Sequence, residues 1–536
     1  MPVDNLSCWP LKKEIDMRRI SHGSTTGPKA KSADEVLQEL GEVANQYFFP
    51  VVEEAAEHPR FTYMFPELAN DKKCLIPQSE KTLGYLSSLG KWMRDKEDDP
   101  KFDSTIPSAY TYFSQLVNHD INFTDVKKED GITDFQFLDD SKLEPWTDQM
   151  ISERVSNKRA GLLELDCVYG IMQGGVLPPR DLTNPHKMAL GKVSPLKERP
   201  EGKDEYNDLV RGPMSTDLKR DRTALIGDRR NDSNIIISQL HVAFLRAHNA
   251  IIDKKKCSYG EAKQILQQHY HWLILHEFLP AIVPDSIIKI VESAPIYNAS
   301  QGLPFEFSVG AFRFGHSMVR RSYYLNDLVQ KDSLARFFTV VVLSENGFSP
   351  TPGKGLPNIA DYRIIQWRNF LAGGKNTARA IRTEMVEPLF ELLDEVNIEK
   401  LPGERRLTVQ DLKRAYMMRI PTGQVIAEQL KIENPLTAAD IEEVSTTDQL
   451  KVLKDSEMLQ RTPLSFYVLA EAAKANNGKL GEVGGRLVAE VLIGLLRDRP
   501  DSIIGNGWKP DPDLALTPGT FFLSDLLRLA GVLEDL

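Results

Sequence analysis

Four short segments place side chains where they could do chemistry. In Tyr110 to Thr124, YTYFSQLVNHDINFT, Gln115 and His119 are four apart and project from one side of a helix. Asp120, the next residue, points about 100° away from His119. In Gly227 to Ile251, GDRRNDSNIIISQLHVAFLRAHNAI, Asn231, Asp232 and Ser233 are good helix caps. Arg229 and Arg230 stand just before that helix, where a fixed guanidinium could reach into a cavity. His241 and His248 fall on its apolar face and read as hydrogen-bonded core residues. In Phe305 to Asn326, FEFSVGAFRFGHSMVRRSYYLN, His316 follows Gly315, with Arg313 three residues before it. Alone it reads as structural. Asp411 to Gln424, DLKRAYMMRIPTGQ, starts as a helix carrying Asp411 and Arg414 and ends at Pro421.

The elements that must hold these residues are mainly helical. Phe113, Leu116 and Val117 form an apolar stripe at i, i+3 and i+4, and strand signals are few and short. Residues 1–35 read as a polar, disordered arm and residues 36–536 as one domain. Long irregular connections are expected at 125–160, at 171–226 with its six prolines, at Glu345 to Pro357 and at Gly505 to Pro518. The length of 536 residues suggests several domains by itself. Residues dispersed from 110 to 424 that share one site require a single large one.

Composition narrows the function. Lys plus Arg total 66 against 76 Asp plus Glu, a net charge of −10, which argues against nucleic acid and against an anionic membrane surface. No apolar run reaches the 18 to 20 or so residues of a membrane span, and no secretory signal is visible. Cys8, Cys74, Cys167 and Cys257 are scattered, so free thiols and, by default, the cytoplasm are expected.

In this order the segments resemble animal-type haem peroxidases, the peroxidase–cyclooxygenase superfamily, in a lean bacterial-type form. FSQLVNHDINFT is similar to the family's distal-histidine helix. LDCVYG (Leu165 to Gly170), GDRRNDSN and SQLHVAFLRAHN are similar to its central segments. AFRFGHSMV (Ala311 to Val319) is similar to its proximal-histidine segment, DLKRAYMMRIPTGQ to the segment ending in a Leu-Pro-like pair, and GGRLVAEVLIGLL (Gly484 to Leu496) to the helix that closes the core. The resemblance spans about residues 60 to 533.

It implies a mainly α fold holding haem b, hydrogen peroxide as oxidant, and a ferryl intermediate that oxidises a small organic molecule or a halide. His316 becomes the axial iron ligand, oriented by Asp411 where the family has Asn; the carboxylate makes the imidazole a stronger donor. His119 becomes the distal acid and base, Arg230 the group that stabilises charge on the leaving oxygen, and Gln115 the holder of water or halide. Arg313 and Arg414 match arginines that pair with haem propionates. Asp120 matches a calcium ligand, and the family's Thr-x-Phe-x-Asp-x-Ser falls on Ala160, Leu162, Glu164 and Asp166; the Thr hydroxyl is lost, while three carboxylates and two carbonyls remain.

Two departures sharpen this. The family's ester-forming Asp and Glu fall on Asn118 and Ser233, and its third link, a Met, falls on Asn234. Non-covalent haem is therefore expected, with bromide or iodide favoured over chloride. The radical-forming Tyr of fatty-acid dioxygenases and cyclooxygenases, three residues before the proximal histidine, is Arg313 here. A dioxygenase is the first alternative, a biosynthetic haem oxidase acting on a specific metabolite the second, and a helical interaction protein with a relict core the third. The reducing substrate and the oligomeric state are not readable.

Overall fold

The computed structural model describes residues 61–126, 144–170, 177–216, 221–337, 355–390 and 406–533, with the backbone of two short strands at 343–344 and 347–348. All belong to the unit Val52–Leu536. The expected arm, 1–35, and most of the loop expected at Glu345 to Pro357 lie outside the described residues.

Helices dominate. Those that build the site are α1 (Thr82–Trp92), α2 (Ala109–Ile121), α3 (Ile235–Lys255), α4 (Tyr259–Leu273), α5 (Leu407–Met417), α6 (Leu464–Ala475) and α7 (Glu482–Arg497). Strands among the described residues run two to five residues and pair only in twos. The two that matter here are β1 (Thr124–Val126) and β2 (Val155–Asn157), antiparallel with Thr124 opposite Asn157. One buried apolar cluster runs from Phe65 to Leu533.

Helix α2 buries the predicted stripe: Phe113, Leu116 and Val117 are at most 1% exposed. Burial of that kind is worth about 1.5–3 kcal/mol per side chain. The helix stops at Asn122, where the backbone becomes extended. Asn157 on β2 holds that end: its Nδ2 donates to the Ile121 carbonyl at 2.8 Å and its Oδ1 accepts the Phe123 N–H at 2.8 Å.

Helix α3 is buried on every side from Ile235 to Leu245, inside the core. By length and composition it would pass for a membrane span, which the run-length reading missed; 83% of its most apolar window is buried in the protein. Its cap differs from expectation. Asn234 is the capping residue, its Oδ1 accepting the N–H groups of Ile236 and Ile237 at 3.1 and 3.0 Å. Asn231 and Asp232 belong instead to a separate short turn, Arg229–Asp232, capped by Asp228. Two consecutive caps split what periodicity reads as one helix start.

Helix α5 lies tight against α1. Thr408 Oγ1 donates to the Gly90 carbonyl at 2.7 Å, and a Cβ on Gly90 would stand 2.8 Å from Val409 Cα, so only glycine fits. This contact sets the height of Asp411 and Arg414. After Met417 the chain turns at Pro421 and begins a second short helix, Gly423–Gln429. Within 177–216 and 221–226 the excursion forms only isolated bridges, such as Gly191 with Asp208, matching the irregular reading. Cys74, Cys167 and Cys257 are free.

Candidate active site

The dispersed segments converge. Gln115, Asn118, His119, Arg230, Arg313 and His316 line one cavity of about 510 Å³, with Asp411 and Arg414 behind its wall. The i, i+4 pair Gln115 and His119 faces the cavity as predicted, and Asp120 faces away from it.

His119 is buried. Its Nδ1 lies 2.7 Å from Asn231 Oδ1, and the Asn231 amide nitrogen lies 3.1 Å from His241 Nδ1. An amide accepts through oxygen and donates through nitrogen, so the assignment places the His119 proton on Nδ1. Its Nε2 is left with a free lone pair. Burial first, and Arg230 second, push His119 down to about 3, so the ring is a neutral base. Sequence reasoning missed Asn231; its signal was the Asn of GDRRND, spent on a cap assignment. His241 and His248 are core residues as read, the latter held by the Tyr169 hydroxyl at 2.9 Å and the His186 carbonyl at 3.0 Å.

Arg230 is tethered. Nη2 lies 2.6 Å from Asp228 Oδ2 and donates to the carbonyls of Asn122 at 2.8 Å and His119 at 3.3 Å, while Nε lies 3.1 Å from both Asp228 oxygens. Burial would raise Asp228, but Arg230 outweighs it and holds the carboxyl well below the usual range. Arg159, buried on the far side, pairs with the same carboxylate. The guanidinium thus locks the C-terminal end of α2 while it lines the cavity. Gln115 bridges α2 to the start of α3: Asn234 Nδ2 donates to its Oε1 at 3.3 Å and its Nε2 to Ser233 Oγ at 3.4 Å.

His316 sits on a tight turn, Ala311–Met318, whose backbone breaks helical geometry at Phe312. Its Nδ1 is 3.3 Å from Asp411 Oδ2, close but poorly aligned for a hydrogen bond. Arg414 Nη1 and Arg313 Nε stand 3.5 and 4.0 Å from Asp411 Oδ1. Burial would raise Asp411; Arg313 leads the groups that overcome it, followed by His316 and Arg414, and the carboxyl stays below its ordinary value. Burial moves Arg313 down to about 10. Arg313 lines the cavity, whereas Arg414 faces Asp411 and is not among the lining residues.

The calcium set is only partly assembled. Asp120 accepts the N–H groups of Leu165 at 3.0 Å and Cys167 at 3.4 Å and the Tyr270 hydroxyl at 3.2 Å. Asp166 accepts the Ala160 N–H at 3.1 Å. Burial first, and Asp166 second, raise Asp120 well above the carboxylate range, and burial raises Asp166 to about 6. The Glu164 carboxylate lies 3.4 Å from Arg499 Nη1. Among the described residues no group of three or more acidic, His or Cys side chains gathers to hold a metal; Ala160 and Leu162 contribute no side-chain oxygen.

The residues fit a haem. One histidine backed by a carboxylate, a second histidine with a bare nitrogen and a cavity-facing arginine share the space. Asn118, Ser233 and Asn234 line it as matched, and among the described residues no Asp or Glu is on the lining.

A helical fold around a cavity that presents two histidines is an arrangement a haem would fit. Residues 152–362 match the animal haem peroxidase family, a span that includes Arg230 and His316 but not His119 or Asp411. The middle of the chain is thus similar to the animal haem peroxidase family over that span. The chain is 31% identical over 113 residues to Peroxidase mlt-7 of Caenorhabditis elegans, covering 19% of this chain and 16% of that one. It is 29% identical over 111 residues to a peroxidase-like protein of Margaritifera margaritifera, covering 18% and 14%. Each match thus spans less than a fifth of the relative's own length. Peroxidase A from Dictyostelium discoideum shares the fold at a TM-score of 0.51 and 16% identity, over 84% of this chain and 90% of that one. A fatty acid alpha-dioxygenase of Oryza sativa shares it at 0.50 and 12%, over 87% and 85%.

Proposed function

We propose that this chain is a haem-dependent peroxidase that reduces hydrogen peroxide and oxidises a small organic donor or a halide. The observation that carries the reading is the Asn231–His119 hydrogen bond, which leaves His119 Nε2 as a bare base on the cavity that also presents His316. Haem bound through His316 supplies the redox centre. His119 Nε2 takes the proton of a peroxide O–H and returns it to the departing oxygen. Arg230, held by Asp228, presents fixed positive charge as that oxygen becomes negative. Asp411, 3.3 Å from His316 Nδ1, stands where a carboxylate would hold the ring's orientation. Arg313, on the cavity wall, would be the residue to hold a haem propionate, and Gln115 is placed to orient a small polar molecule beside His119.

With Asn118 and Ser233 at the positions of the ester-forming residues, haem is held without ester bonds, and bromide, iodide or phenols are easier donors than chloride. Calcium is proposed on the Asp120–Asp166 pair with loop carbonyls: two adjacent buried carboxylates favour a hard cation. The test of the main reading is an absorption spectrum of purified protein before and after peroxide. A Soret band that shifts with peroxide in the parent, and fails to shift on the same timescale in His119→Ala, is expected. A parent spectrum unmoved by peroxide refutes it.

A fatty-acid dioxygenase is the second reading. Tyr112 favours it: the residue lines the cavity and meets Tyr323 edge-on at 5.8 Å. Arg313, at the position of the dioxygenase radical Tyr, opposes it. Oxygen uptake with an unsaturated fatty acid and no added peroxide would reverse the order.

A further inference from the structure

A second cavity, of about 410 Å³, shares no lining residue with the first. One wall is Ile274–Phe278, where α4 widens into a turn with i→i+5 bonding, a local geometry frequent at functional sites. The other is the segment that follows α7. The faces are aromatic: Trp272 and His276 pack at 3.9 Å between ring centroids, and Trp508 stands 5.8 Å from Trp272. The floor is aliphatic, with Leu279, Ile493 and Ile503.

These walls are built. Trp508 Nε1 donates to Gln268 Oε1 at 3.2 Å, and the Asp511 N–H donates to His269 Nε2 at 3.0 Å. Lys255 anchors Asp511 at 2.6 Å and Asp513 at 2.7 Å. The segment carrying Trp508 and Lys509 is therefore pinned to α3 and α4, and the aromatic faces stay in place.

Charge selects the occupant. Arg497 is taken by Asp498, at 2.8 Å through Nε, and by the Tyr297 carbonyl, at 2.7 Å through Nη2. Lys509 Nζ stands 5.2 Å from the centre of the Trp272 ring and meets no carboxylate at ion-pair distance among the described residues. Glu292 is the one acidic residue among the described lining residues and, like Lys509, is exposed. Lys509 repels a cation and attracts an anion where the aromatic faces begin.

We propose that this cavity is a second binding site, for a planar aromatic monocarboxylate whose ring lies on Trp272 and Trp508 and whose carboxylate meets Lys509. Calorimetric titration of the full protein with 2-naphthoate and with the neutral 2-naphthylmethanol tests it. The acid is expected to bind about tenfold or more tighter, the scale of a charged hydrogen bond. Lys509→Met should erase that preference while keeping the alcohol's affinity, and Ile493→Trp, which fills the floor, should abolish both. Equal binding of acid and alcohol by the parent, no binding of either, or binding unchanged in both variants overturns the proposal. The last result also covers a ligand seated in the haem cavity.

Discussion

Asn231 Oδ1 lies 2.7 Å from His119 Nδ1 and decides which nitrogen of the ring faces the cavity. Asn231→Ala removes that choice and leaves His241 Nδ1 without its donor. The rate of reaction with peroxide, followed at the Soret band by stopped flow, should fall about ten- to a hundredfold, the scale of supporting hydrogen bonds around reactive groups. Asn231→Asp, which keeps an acceptor, should retain more of the rate.

Asp411 stands 3.3 Å from His316 Nδ1. Asp411→Asn keeps the shape and removes the charge, so the haem reduction potential should move positive in spectroelectrochemical titration. Asp411→Ala should weaken haem retention by about ten- to a hundredfold, read as haem transfer to a scavenger.

Acid should destabilise the fold through its buried histidines. Burial lowers His241 to about 3 and His248 to about 4, against about 6.5 in an unfolded chain. Between those values the unfolded state binds protons that the folded state refuses. Stability is therefore full above pH 6.5 and is lost as pH falls toward 4, by at most about 1.4 kcal/mol per pH unit for each histidine. Urea midpoints at pH 7, 5.5 and 4.5 should fall in that order, and His248→Gln should flatten the trend.

Asp120 accepts two backbone N–H groups and the Tyr270 hydroxyl in the interior. Asp120→Ala strands all three, each costing about 1–3 kcal/mol, so Tm should drop by several degrees. Asp120→Asn should lose less. A chelator should lower Tm in the parent and leave Asp120→Asn unmoved; a parent indifferent to chelation removes calcium from the proposal.

Acid-acetone extraction should leave the protein colourless, because Asn118 and Ser233 cannot form esters. Ser233→Glu, treated with peroxide, should retain haem through the same extraction.

Much of this site is legible along the chain because helical spacing carries direction: Gln115 and His119 share a face, and Asp120 leaves it. What spacing cannot carry is the route of a turn. Two caps in succession, Asp228 and Asn234, put Asn231 under His119 rather than at the head of α3, and nothing in residue type separates the two outcomes. Glu164 is read as a ligand by register, and the Arg499 that lies beside its carboxylate is distant in sequence. Long-range ion pairing of that kind is invisible to local pattern. The break at Phe312, which re-aims His316, likewise depends on packing rather than on propensity.

Asn118 and Ser233 on the cavity wall, neither able to form an ester, have a consequence for supply of the proposed cofactor. A cofactor that is never covalently captured stays in exchange with its surroundings, and the fraction of molecules carrying it follows free concentration and affinity by mass action. On the proposed peroxidase reading, oxidising capacity would then track haem availability from moment to moment, and loss of the cofactor would be a reversible way of turning the molecule off.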